Sequence, residues 1–207
     1  MSAAHRFQQL QSIGRPVVTT HDAAAAWRSS LPVASKTLAR LADTGLITKI
    51  RHGLWHVGTG RPDPDAVLPA LTNPYPSYIS GWSALSHHGM IEQIPRAIFA
   101  VSLDKAKTFD TAFDRYEIHH LHPDLFGGFT GGNGLRAGVA TPAKALFDTV
   151  YLLSTRTGLV TLPELEVPEG FDHEELAHWC ELVPSRRLRT LTSGNLSRLV
   201  TAAALDA

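Results

Sequence analysis

Residues 20–57 read THDAAAAWRSSLPVASKTLARLADTGLITKIRHGLWHV. Thr20 is a hydroxyl residue suited to an N-cap, and Asp22 falls in the first turn, where a carboxylate suits the positive end of a helix. The alanine-rich run from His21 to about Arg28 predicts a short helix whose small side chains let a second helix pack closely. Ser29, Ser30 and Pro32 read as a turn, with Leu31 directed into the core. A second helix is expected from about Val33 to Thr44. Ala34, Leu38 and Leu41 recur at i, i+4 and i+7 and give it one apolar stripe. Lys36, Ala39 and Arg40 fall on the opposite side, flanked by Ser35 and Thr37. Gly45 ends the helix, and two strands, Leu46 to Arg51 and Leu54 to Val57, follow around a turn at His52-Gly53.

Helix, turn, helix and hairpin in that order predict a winged helix-turn-helix. A helix that reads base edges needs an apolar back, short polar and basic groups in its N-terminal half, and no acid facing the groove. Ser35, Lys36, Thr37 and Arg40 satisfy this, with Asp43 only at the far end. The hairpin carries Lys49, Arg51 and His52, which suit phosphates beside the groove. Operator DNA is therefore the expected partner, and a helical module for protein contacts is the competing reading. One such unit reads only a short site, which is compatible with a homodimer on an inverted repeat.

Charge agrees with this division. The chain has 207 residues, with 19 Lys or Arg against 19 Asp or Glu. Residues 1–61 hold eight basic and two acidic side chains, a net +6, and the remainder is −6. A basic module joined to an acidic one suggests that only the first touches nucleic acid. Cys180 is the only cysteine, so no internal disulfide can form, which fits a reducing cytoplasm. The opening MSAAHRFQQLQ has no apolar run of signal-peptide length, and no stretch is apolar enough to span a bilayer, so no membrane partner is expected.

Upstream, Phe7, Leu10 and Ile13 recur every third residue and predict a first helix over 4–13, with Val17 and Val18 as a third strand. Downstream, GTGRPDPDAVLP reads as a linker, placing a boundary near 58–66 and dividing the chain into 1–60 and 61–207. A short helix over 66–71 and an extended NPYPSY come next. Ser80 is placed to cap a helix containing Trp82, Ala84 and Leu85. IFAVSL (98–103) and YEIHHLH (116–122) read as strands, and DKAKTFDTAFD between them as a polar connector with a helical turn. Thr141 and Pro142 open a helix to about Leu153 that buries Ala143, Leu146, Phe147 and Val150, with Lys144 and Asp148 on its exposed side. Residues 154–171 read as loop, with Leu162 to Val167 extended. Asp172 and Glu175 start a further helix, and a last helical region leads into a fraying tail.

Two blocks carry a resemblance. YISGWSALSHHGMIEQIP (78–95) has a Ser-Ala-Leu, a His-Gly and a proline before a strand, and VATPAKALFDTVYLL (139–153) has a Lys-Ala-Leu with an Asp four residues after the lysine. Their order behind a winged helix resembles the AbiEi-family antitoxins of type IV toxin–antitoxin systems, over about residues 5–155. The resemblance implies a winged-helix N-terminal domain that represses its own operon. It also implies a mixed α/β antitoxin domain, with a small sheet and several helices, that neutralises a nucleotidyltransferase-fold toxin, by contact or otherwise. The expected fold class is thus α+β.

Other constellations are weaker. GGFTGGNG (127–134) could cradle a phosphate through backbone N–H groups but lacks the P-loop pattern, so a flexible hairpin loop is the simpler reading. With Lys144 for phosphate and Asp148 for metal or base, it forms the minimum of a phosphotransfer site. That is the basis of an alternative, a kinase-like antitoxin using ATP and Mg to modify its toxin. Otherwise no cofactor is expected, and Lys144 and Asp148 read as a solvated i, i+4 pair. His87, His88, His119, His120 and His122 lack a matching cysteine pair, and strand alternation separates them, so no metal is expected.

Overall fold

The computed structural model describes residues 2–162 and 165–206. The protein is α+β, with a three-stranded and a six-stranded sheet among the described residues.

The first unit runs α1 (Ala3–Gln11), β1 (Val17–Thr19), α2 (Thr20–Trp27), α3 (Leu31–Asp43), β2 (Thr48–Arg51) and β3 (Leu54–His56), with sheet order β1-β3-β2. Leu10, Val18, Trp27, Ala34, Leu38, Leu41, Ile47 and Trp55 form its core. The cap of α2 is Thr19 rather than Thr20. Thr19 Oγ1 accepts from Asp22 N (3.1 Å) while Thr19 N donates to Asp22 Oδ2 (2.8 Å), a reciprocal capping box. Thr20 instead accepts at Oγ1 from Trp55 Nε1 (3.1 Å), which ties the helix start to β3. Two expectations at the turn fail. α3 begins two residues early, because Pro32 fits a first helical turn whose N–H groups lack intrahelical partners. Leu31 is consequently carried outward and is 42 % exposed rather than buried.

α4 (Pro64–Thr72) follows within the region read as a linker. The hairpin does not stand alone: Val17, Ile50 and Leu54 share one core with Val67 and Leu68 of α4 and with Ala100, Tyr116 and Ile118 of the larger sheet.

That sheet comprises β4 (Ser77–Ile79), β5 (Ile98–Ser102), β6 (Lys107–Asp110), β7 (Arg115–His120), β8 (Phe129–Thr130) and β9 (Gly138–Ala140), in the order β6-β7-β5-β4-β9-β8. β5 runs parallel to β7, and β4 parallel to β9. The other pairs are antiparallel. β6 corrects the expected connector. It pairs with β7 from Lys107↔Ile118 to Asp110↔Arg115, and Phe109 packs against the α4 core. The glycine-rich segment is in part a strand, since Phe129 pairs with Ala140.

α5 (Gly81–His87), α6 (Pro142–Ser154), α7 (His173–Glu181) and α8 (Arg186–Asp206) complete the chain. Thr141 caps α6 by accepting from Lys144 N (3.2 Å), and Asp172 caps α7 by accepting from Glu175 N (2.8 Å). The tail expected to fray continues α8 to Asp206, with Leu196, Leu199 and Ala203 buried. The extended stretch expected over 162–167 falls partly on Pro163 and Glu164, which lie outside the described residues.

Candidate nucleic-acid interface and a buried lysine–aspartate centre

α3 is two-faced. Ala34, Leu38 and Leu41 are fully or almost fully buried, while Ser35, Lys36 and Arg40 are exposed. Thr37 is half-buried, and its hydroxyl donates back to Val33 O (2.8 Å), so it has less to offer a ligand. Val33 is 50 % exposed on the first turn. On the hairpin, Lys49, Arg51 and His52 are all exposed. Lys49 Nζ lies 5.8 Å from the Trp55 ring, and the Arg51 guanidinium lies 4.9 Å from the Phe109 ring. Among the described residues neither Lys36, Arg40, Lys49 nor Arg51 is in an ion pair with a carboxylate. The helix and hairpin therefore present exposed cations that, among the described residues, no carboxylate pairs with, Asp43 at the far end of α3 included.

Lys144 and Asp148 stand elsewhere and differently from expectation. Both are 0 % exposed. Lys144 Nζ donates to Asp148 Oδ1 (2.6 Å) and to Leu125 O (2.7 Å). It sits 4.2 Å from the Trp179 ring and 4.8 Å from the Phe147 ring. Asp148 Oδ2 accepts from Ser80 Oγ (2.7 Å) and Tyr78 OH (2.9 Å). Ser80 accordingly makes no side-chain cap to α5. Trp179 Nε1 donates to Glu175 Oε1 (3.1 Å), and Thr141 Oγ1 donates to the same carboxylate.

The glycine segment closes this centre. A Cβ on Gly128, whose φ is +66°, would stand 2.7 Å from Trp179 and 2.9 Å from Lys144 Cγ. Gly128 O in turn accepts from Thr141 N (2.8 Å). Burial pushes the Lys144 ammonium down and the Asp148 carboxyl up from their ordinary values, each opposed by the other's charge. Burial beside Asp148 also drives the Tyr78 phenol far above its usual range, so it stays a neutral donor. The surface placement of the pair is thus corrected: it ties α6 to β4, α5 and α7. Tyr78, Ser80, Glu175 and Trp179 were not foreseen as its partners. The available signal was α6 itself, PAKALFDTVYLLS, which has too few polar positions for a solvent face.

The histidines are separated. His88 Nε2 bonds Ala140 O (2.7 Å), His120 Nδ1 bonds Asp104 O (3.0 Å), and His122 Nδ1 accepts from Asp124 N (3.3 Å). His119 stacks on Phe99, with ring centroids 6.1 Å apart. Among the described residues no three His, Cys, Asp or Glu side chains converge as metal ligands. Burial raises the Cys180 thiol to about 11. No described helix is long and apolar enough to cross a membrane.

Compared with protein-family models and with curated proteins, the chain matches none.

Proposed function

We propose that the chain is a DNA-binding repressor of the winged-helix type, acting in the cytoplasm, whose second unit is a non-catalytic antitoxin. α3 is the recognition helix and the β2–β3 hairpin is the wing. The observation that carries this reading is the two-sidedness of α3, with a buried Ala34–Leu38–Leu41 stripe behind exposed Ser35, Lys36 and Arg40. Val33, exposed on the first turn, offers methyl groups suited to thymine. The test is fluorescence anisotropy on the chain's own promoter fragment. About four neutralised phosphates give a log–log salt slope near −3.6, and Lys36→Ala and Arg40→Ala each weaken binding. Binding that ignores salt and survives both substitutions overturns it.

The antitoxin half rests on the resemblance of residues 78–95 and 139–153. Its partner is a nucleotidyltransferase-fold toxin encoded beside the chain. Expression of that neighbour should arrest growth, and co-expression of this chain should restore it. A neighbour that is harmless alone removes the antitoxin reading. The ATP-dependent alternative is not carried forward, because Lys144 and Asp148 already spend their hydrogen bonds on each other, on Leu125 and on Tyr78 and Ser80, sealed from solvent.

A further inference from the structure

A slot of about 110 Å³ opens where β5, β7 and the C-terminal half of α6 meet. Trp82, Phe99, Leu152 and Leu153 line it and are each half-buried. Two buried hydroxyls also line it, and both are committed elsewhere. Ser80 Oγ donates to Asp148 Oδ2 (2.7 Å), and Thr149 Oγ1 donates to Ala145 O (2.7 Å). The depth of the slot therefore asks for hydrocarbon. Benzene, with its six carbons, occupies a dry cavity of about 150 Å³, so this slot suits the four carbons of a branched alkyl group and is short of an indole.

Two opposite charges line the same slot. Glu117 on β7 is half-buried, and Arg156, just beyond α6, is exposed. They are not paired with each other, and among the described residues Arg156 is in no ion pair. Glu117 does have a cation beside it. Arg115 Nε donates to Glu117 Oε1 (3.3 Å), but Arg115 Nη1 also lies 3.5 Å from Asp110 Oδ1. One arginine thus serves two acids, which leaves negative charge on the β7 side and an unanswered positive charge on the α6 side. Both charges reach His119, which lines the slot as well. Burial lowers its imidazole, Arg156 adds to this and Glu117 opposes it, so the ring is neutral and contributes no third charge.

We propose that the slot binds a free α-amino acid with a leucine-sized apolar side chain. The alkyl group enters between Trp82, Leu152 and Leu153, the ammonium meets Glu117, and the carboxylate takes the Arg156 guanidinium. An α-amino acid carries one charge of each sign and its hydrocarbon on a single carbon. That matches apolar walls with one charge of each sign at the rim. A carboxylate alone would leave Glu117 facing an anion, and an amine alone would leave Arg156 facing a cation. The site uses no residue of α3 or of the hairpin, so it stands apart from the DNA interface.

The test is isothermal titration calorimetry of the full chain at about pH 7.5, where an amino acid is a zwitterion. Three ligands are compared: L-leucine, 4-methylpentanoate, which lacks the ammonium, and 3-methylbutylamine, which lacks the carboxylate. L-leucine should bind one to one, and each singly charged analogue at least about tenfold more weakly. Arg156→Ala should weaken L-leucine about tenfold and leave the amine unaffected, and Glu117→Gln should weaken L-leucine while sparing the carboxylate. Arg156 is exposed and without an ion pair, so its removal should leave the thermal midpoint in place. The comparison of the three ligands on the unaltered chain needs no variant at all. Three results each overturn the proposal: neither saturation nor a rise in the thermal midpoint with L-leucine up to about 10 mM, analogues as tight as L-leucine, or an L-leucine affinity that ignores Arg156→Ala. Anisotropy reports DNA binding independently, so failure here leaves that reading intact.

Discussion

Lys144 Nζ lies 2.6 Å from Asp148 Oδ1, one helical turn away on α6, and neither side chain reaches solvent. A pair of this kind is weak evidence of net stabilisation, because desolvating two charges offsets most of their attraction. Removing one partner is a different matter. Asp148→Ala strands the ammonium and leaves the Tyr78 and Ser80 hydroxyls unpaired. Urea unfolding should show a loss of about 3–5 kcal/mol. A loss under about 1 kcal/mol would mean the centre is wetter than its geometry implies.

Gly128 and Gly131 both have a left-handed φ, +66° and +69°, but only the first faces a wall. Gly131→Ala should cost about 1 kcal/mol, the backbone penalty alone. Gly128→Ala adds a clash with Trp179 and Lys144, and should cost about 3 kcal/mol in total. Chemical denaturation of the two variants side by side checks the difference. Equal losses would show that the segment yields.

Base contacts and phosphate contacts should separate experimentally. Lys49→Ala and Arg51→Ala on the hairpin should weaken binding evenly across operator variants, each lowering the salt slope by about 1. Ser35→Ala and Lys36→Ala on α3 should instead change which bases are preferred. Selection from a randomised-site library reads this directly, and an unchanged preference in both α3 variants would remove α3 from the groove.

Stability should fall below neutral pH. Burial lowers the His119 and His56 imidazoles from their ordinary value, with Arg156 adding to the effect at His119. A ring lowered in the folded state is protonated first in the unfolded chain. Its contribution is therefore complete above about pH 6.5 and is lost progressively as the pH drops below that, until the folded ring also takes a proton. His119→Gln should flatten the thermal midpoint between about pH 7 and pH 5. An identical slope in the variant would assign the effect elsewhere.

Much of the front unit was legible because its signals are local. Ala34, Leu38 and Leu41 lie at helical spacing on one element, and the apolar stripe they predict is buried. Thr141 and Pro142 mark the start of α6 in the same local way. What escaped depends on partners far along the chain. Lys144 and Asp148 look like a surface pair until Trp179 and Tyr78 are brought over them from other elements. β6 has only Thr108 and Phe109 to mark it as a strand, between Lys107 and Asp110, so pairing with β7 decides its conformation. Leu31 was misplaced because the Pro32 turn proved to be the first turn of α3.

The hairpin is also bound to the larger sheet: Ile50 O accepts from Ala112 N (2.8 Å), Arg51 lies over Phe109, and Ile50 and Leu54 pack with Tyr116 and Ile118. Docking of the wing on a duplex would therefore fix the compass bearing of everything behind it. Two chains on neighbouring half-sites could approach each other only at spacings near whole turns, about 10.5 base pairs. Inserting half a turn would aim their rear units to opposite sides of the DNA, against the contacts that hold each hairpin to its own larger sheet.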